Sequence, residues 1–178
     1  MIHRKLQEQM NGDSTGSNSS STGSRVISQR PAAPAQPIVR AGRFEEILQL
    51  RYDVLRAGLP PEAAVFEGDR SPSSRHYGAF ADDRNVGCAT LHLNRWQDEP
   101  AWQLRGMATA PDYRNAGLGR TILAFVETDL LATHPVHLLW CNARVPAVKF
   151  YQRLGWQVVS EEFEIPTAGP HHQMVKRL

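Results

Sequence analysis

Between residues 76 and 109 the chain runs through three β-patterned segments, 76–81, 86–96 and 102–109. Two short turn segments separate them, Asp82-Asp83-Arg84-Asn85 and residues 97–100. Segments joined this tightly pair as antiparallel neighbours, because a parallel connection needs a dozen or more residues. Past Pro111 the period changes: Leu118, Ile122, Leu123, Phe125, Val126, Leu130 and Leu131 form one broad apolar face over residues 117–133. That spacing predicts a helix of about four turns or more, with a face that must be buried. A meander followed by such a helix confines the chain to helix-on-sheet layers.

The remaining segments extend the pattern. Phe44, Ile47, Leu48, Leu50, Val54 and Leu55 predict a first amphipathic helix over 43–57, stopped by Gly58 and Pro60-Pro61. Residues 59–74 are rich in Pro, Gly, Ser and acid and read as a long loop or a loop with a short helix. Residues 136–141 form a short, almost wholly apolar strand, suited to a sheet interior. Pro146 opens a short helix with Val148, Tyr151 and Leu154 inward, and Gly155 ends it. Two strands, 156–165 and 172–178, complete an α+β fold with a central mixed sheet.

The N-terminal part differs in kind. All 14 residues from Asn11 to Ser24 are Gly, Ser, Thr, Asn or Asp, and Pro31, Pro34 and Pro37 follow. With no apolar surface to offset ordering entropy, residues 1–37 are expected to be a disordered low-complexity tail before a domain spanning 38–178. The formal net charge of +2 divides into +3 over residues 1–40 and −1 beyond, so bulk charge gives no support to nucleic-acid binding. Cys88 and Cys141 provide neither a disulfide framework nor a metal-binding pattern, so no metal is expected. No apolar run approaches the roughly 20 residues needed to cross a bilayer, and basic Arg4 and Lys5 precede no apolar signal core. The expectation is a cytoplasmic protein acting neither on membranes nor on nucleic acid.

Chemistry concentrates in two segments. In the first, a strand ends near Thr109, turns at Pro111-Asp112, and enters the long helix through Arg114-Asn115-Ala116-Gly117-Leu118-Gly119-Arg120. Two glycines at a helix start let backbone approach a ligand, and unpaired first-turn N–H groups favour an anion; Arg114 and Arg120 add charge. The segment lacks both the Gly-Lys-Ser/Thr ending of nucleotide-hydrolysing loops and the spacing of the dinucleotide fingerprint. In the second, a strand ends in Asn142, the next helix carries Phe150-Tyr151, and Leu154-Gly155-Trp156 turns into another strand.

Together these segments closely resemble the GNAT superfamily of N-acetyltransferases over residues 38–178. The resemblance implies a mostly antiparallel mixed sheet, split in a V and flanked by helices, with acetyl-coenzyme A (acetyl-CoA) as co-substrate. Residues 114–120 would bind its pyrophosphate, Asn142 and Tyr151 would border its far end, and Met107, Ala108 and Thr109 would pair with pantetheine like an added strand. A bulge near Gly106 or Met107 would aim an N–H at the thioester carbonyl. Tyr151 would donate a proton or hydrogen bond to the departing thiolate. The implied activity is direct acetyl transfer to a primary amine of a small molecule or protein, and a homodimer stays open.

The base stays unassigned among His92, His171, His172, Glu62, Glu67 and Asp69. Trp96, Trp102, Trp140, Trp156 and Cys141 are expected to be structural. The alternative function is a non-catalytic acyl-CoA-binding sensor or interaction module, which would tolerate losing the tyrosine.

Overall fold

The computed structural model describes residues 36–178, so the expected tail lies outside the described residues except for its last two positions. The chain forms β1 (Ile38–Gly42), α1 (Phe44–Leu55), β2 (Ser74–Ala81), β3 (Arg84–Trp96), β4 (Glu99–Thr109), α2 (Leu118–Thr133), β5 (Leu138–Arg144), α3 (Val148–Gln152), β6 (Gln157–Val158), β7 (Phe163–Ile165) and β8 (Gly169–Arg177). The eight strands make one sheet in the order β1-β2-β3-β4-β5-β8-β6, with β7 also on β8. Only the β4–β5 pairing is parallel.

The meander forms as the alternation predicts, with tighter turns. Ala81 pairs with Arg84 and Trp96 with Glu99, leaving two-residue loops. Their first residues, Asp82 and Gln97, take the positive φ that lets so short a loop follow the strand twist. Along β3, side chains alternate between the helices. Gly87 lies beneath Ile122 and Leu118 of α2, while Thr90 on the other face accepts a hydrogen bond from Arg51 of α1. Ile122, Leu123, Val126 and Leu130 of α2 are fully buried, each worth roughly 1.5–3 kcal/mol of transfer free energy.

Three expectations need correction. Residues 38–42 form an edge strand antiparallel to β2, where the sequence pattern gave only the domain start; such a short segment, with Ile38 exposed, lacks an alternating signal. The single strand expected over 156–165 breaks into β6 and β7. At the break the Ser160 hydroxyl accepts the Gln173 N–H at 2.8 Å, so a side chain substitutes for the ladder carbonyl. The last strand starts earlier than residue 172, at Gly169.

Two irregularities shape the centre of the sheet. β4 and β5 pair only at Trp102–Leu139, Gln103–Trp140 and Leu104–Cys141, after which β4 continues to Thr109 and β5 to Arg144 unpaired with each other. This is the V-shaped split. On its other side β4 pairs with β3 at Arg105–Thr90 and Ala108–Cys88, three steps on one strand against two on the other. The extra residue is a β-bulge at Gly106-Met107, with Gly106 at φ 59°. A Cβ there would sit 2.6 Å from Arg51 Nε and 2.9 Å from Cζ, against a side chain that is itself pinned.

Gly106→Ala is therefore expected to cost about 2–3 kcal/mol, combining left-handed strain with a clash. Gly117→Ala, at φ 81° with open space around the added methyl, carries only strain, about 1 kcal/mol. Urea midpoints of the two variants check this, and equal losses would contradict it.

Candidate active site

The split holds two cavities that share Met107, Arg144, Ala147 and Tyr151 as lining residues. The larger, about 970 Å³, runs along Met107, Ala108 and Thr109 to the start of α2. Its floor is built by the chain path the sequence predicted. A 3-10 turn at Pro111–Tyr113 reverses the strand, and Asn115 and Gly117 take positive φ before α2 begins at Leu118. No side chain caps α2, so its first-turn N–H groups are left for a ligand. Arg114, Arg120, Arg144 and Arg153 line this cavity, and no carboxylate among the described residues does.

Of the residues expected to hold the cofactor, Met107, Ala108, Thr109, Arg114, Asn115, Gly117, Leu118, Gly119, Arg120 and Tyr151 lie on this wall. Two do not. Ala116 is exposed and absent from the lining, because the left-handed residues on either side of it turn the loop outward there. Asn142 lines the smaller cavity instead, and its buried Oδ1 has no hydrogen-bond partner. Arg144, Arg153 and Tyr113 line the larger cavity although sequence reasoning assigned them no role, and so does Phe150, which belongs to the motif read in the second segment. Arg153 sits two residues past Tyr151 on the same short helical segment, which was the available signal.

Tyr151 stands where the cavities meet. It is packed edge-on between Phe150 and Trp156, with centroids 5.1 and 5.5 Å away, and is almost wholly buried. Its hydroxyl donates only to Met107 Sδ, at 3.5 Å, across the split. Burial, and after it the Cys141 thiol, raise its pKa above the ordinary phenol value, so it stays protonated at neutral pH.

The smaller cavity, about 450 Å³, is bounded by the α1–β2 loop, the bulge, β5 and the β7–β8 turn. Of the base candidates only His171 lines it. His171 Nδ1–H donates to the Gly169 carbonyl at 2.6 Å, which leaves Nε2 as the proton-accepting nitrogen of the neutral ring. His92 instead lies against Gly68 and Ser74, and His172 faces Ser160 and Glu162. Glu62 and Glu67 are exposed.

Asp69 is buried beside the bulge, 2% exposed, where its carboxylate accepts from Arg51 at 2.5 Å, Arg105 at 3.2 Å and the Phe66 N–H at 2.8 Å. Arg51 also donates to the Ala64 carbonyl and to Thr90, with its guanidinium 4.7 Å from the Phe66 ring. Thr90 in turn contacts His76 Nδ1, whose Nε2–H donates to the Asp69 carbonyl. The cluster ties α1 and its loop to the bulge. Sequence reasoning passed over Arg51, although it falls four residues after Ile47 on the apolar face of α1.

The four tryptophans pack within the fold, and Cys141, also expected to be structural, borders the smaller cavity. Trp102 and Trp156 are buried, Trp96 packs on Trp140 with centroids 5.2 Å apart, and burial pushes the Cys88 thiol up to about 11 and Cys141 higher still. Among the described residues no cluster of three potential metal ligands occurs, and no helix is long and apolar enough to cross a membrane.

Comparison with known proteins agrees with this geometry. Residues 43–156 match the family model described as Acetyltransferase (GNAT) family. An uncharacterized N-acetyltransferase of Bacillus subtilis, YitI, is 34% identical over 146 residues, covering 79% of this chain and 95% of that protein. The crystal structure of Escherichia coli ElaA superposes with a TM-score of 0.68 at 18% identity, over 79% of this chain and 99% of that one. An aminoglycoside 6′-N-acetyltransferase solved with coenzyme A gives 0.62 at 14% identity, over 79% and 96%. With the split sheet, the bulge and the uncapped helix start on one path, the match over most of the domain makes this chain a member of the GNAT acetyltransferase family and an acyltransferase.

Proposed function

We propose that the protein transfers an acetyl group from acetyl-CoA to a primary amine by direct attack in a ternary complex. The observation that carries this reading is the meeting of two cavities at Tyr151, opposite a strand bulge. The larger cavity, with its helix start and Arg114, Arg120 and Arg153, suits a pyrophosphate and an extended thiol arm; the smaller suits the amine.

Gly106 and Met107 stand out of the β3–β4 ladder, which makes a backbone N–H available to the thioester carbonyl oxygen as it gains negative charge. The amine nitrogen forms the new C–N bond, the C–S bond breaks, and the electron pair leaves on sulfur. Tyr151 meets that developing thiolate with its hydroxyl hydrogen. His171 Nε2 is available to take the proton the amine sheds.

An assay of free-thiol release from acetyl-CoA over a panel of amines tests the proposal. Repeated release that depends on an added amine is expected. Tight coenzyme A binding without turnover on any amine would overturn it in favour of an acyl-CoA-binding sensor.

A further inference from the structure

The walls of the smaller cavity are charged in one sense only. Arg56, Arg105 and Arg144 line it, and no Asp or Glu among the described residues does. Arg56 spends its Nε and Nη1 hydrogens on the Ala63 and Leu55 carbonyls, at 3.2 and 2.9 Å, and makes no ion pair among the described residues. Arg144 likewise makes none. Arg105 reaches Asp69, but Asp69 is shared with Arg51, so that buried group keeps one positive charge in excess. Exposed Glu67 acts on Arg105 from outside the lining.

The charges also act on one another. Burial first, then the like charges of Arg144 and Arg51, push the Arg56 pKa down. Convergent guanidinium groups around a concave site repel, and an anion among them relieves the repulsion. Two lining residues also carry a buried polar atom without a partner among the described residues: Arg105 Nε, a donor, and Asn142 Oδ1, an acceptor.

Resting on the acetyl-transfer reading above, we infer that the acceptor is a small amine that also carries a carboxylate, as an amino acid does, seated against Arg56, Arg105 and Arg144. The carboxylate faces the arginines, and the amine lies toward Asn142 and Tyr151. A diamine or other polycation is disfavoured by the same charges.

The test uses matched pairs that differ only in the anion. Glycine, phenylalanine and glutamate are compared with glycinamide, phenylalaninamide and glutamic acid diamide as acceptors. Their N-acetylated products are titrated by calorimetry into the protein saturated with coenzyme A. At least one acid is expected to exceed its amide at least ten-fold in kcat/KM, and its product to bind at least ten-fold more tightly. In Arg56→Gln that preference is expected to collapse, and Arg56→Lys to restore part of it. Coenzyme A affinity is expected to stay the same, because Arg56 does not line the larger cavity.

Acid and amide performing alike, amides or polyamines winning, no product of the panel binding, or a preference that survives Arg56→Gln would overturn the inference. Acid-selective product binding without thiol release from any amine would overturn the transfer reaction and leave the anion site standing.

Discussion

Tyr151→Phe is expected to lower single-turnover thiol release by about 10²-fold or more, the usual contribution of a positioned acid. Coenzyme A affinity and fold stability are expected to stay close to wild type. The substitution is unusually clean, because the hydroxyl being removed hydrogen-bonds only to the Met107 thioether among the described residues. Losing so weak a hydrogen bond costs at most about 1 kcal/mol. The ring keeps its edge contacts with Phe150 and Trp156. Single-turnover conditions matter, since slow product release would hide the chemical step. Thiol release within a few-fold of wild type would remove Tyr151 from the reaction and leave it as a packing residue.

The second large effect falls on stability. Asp69→Asn withdraws the carboxylate shared by Arg51 and Arg105, leaving a fully buried guanidinium without a counter-charge. Breaking one side of a buried pair costs about 3–5 kcal/mol, against roughly 5–15 kcal/mol for a whole domain. At roughly 2–4 °C per kcal/mol for a domain of this size, the melting temperature is expected to fall by on the order of 10 °C. Glu99→Gln is the control: it breaks a two-bond pair with Arg177 that stands in water, so little change is expected. Coincident melting of wild type and Asp69→Asn would mean that the cluster is not what fastens α1 to the bulge.

Much of this was legible in the sequence because it rests on local periodicity. The meander, α2 and the buried strand β5 follow from the spacing of apolar residues, and the cradle at 114–120 follows from glycines placed between a strand and a helix. What could not be read depends on contacts distant in sequence. Arg51 and Asp69 are separated by a loop of irregular structure, and nothing local shows that Thr90 and Arg105 from two other strands complete their cluster. The arginines of the smaller cavity come from α1's end, β4 and β5, and only the fold reveals that no acid joins them. Strand 156–165 was misread because a serine hydroxyl, a side-chain choice invisible to alternation, takes over a ladder bond. Asn142 matched a motif position correctly by type, yet it borders a different chamber from the one expected.

The three-pair contact between β4 and β5 bears on where the sheet leaves its backbone unpaired. Unsatisfied strand edges normally lie at the rim of a sheet, where any passing chain can zip onto them. Here the unzipped stretches of β4 and β5 are interior, facing each other across a narrow wedge. The backbone groups that the split leaves unpaired thus lie between two neighbouring strands of the sheet and not at its rim.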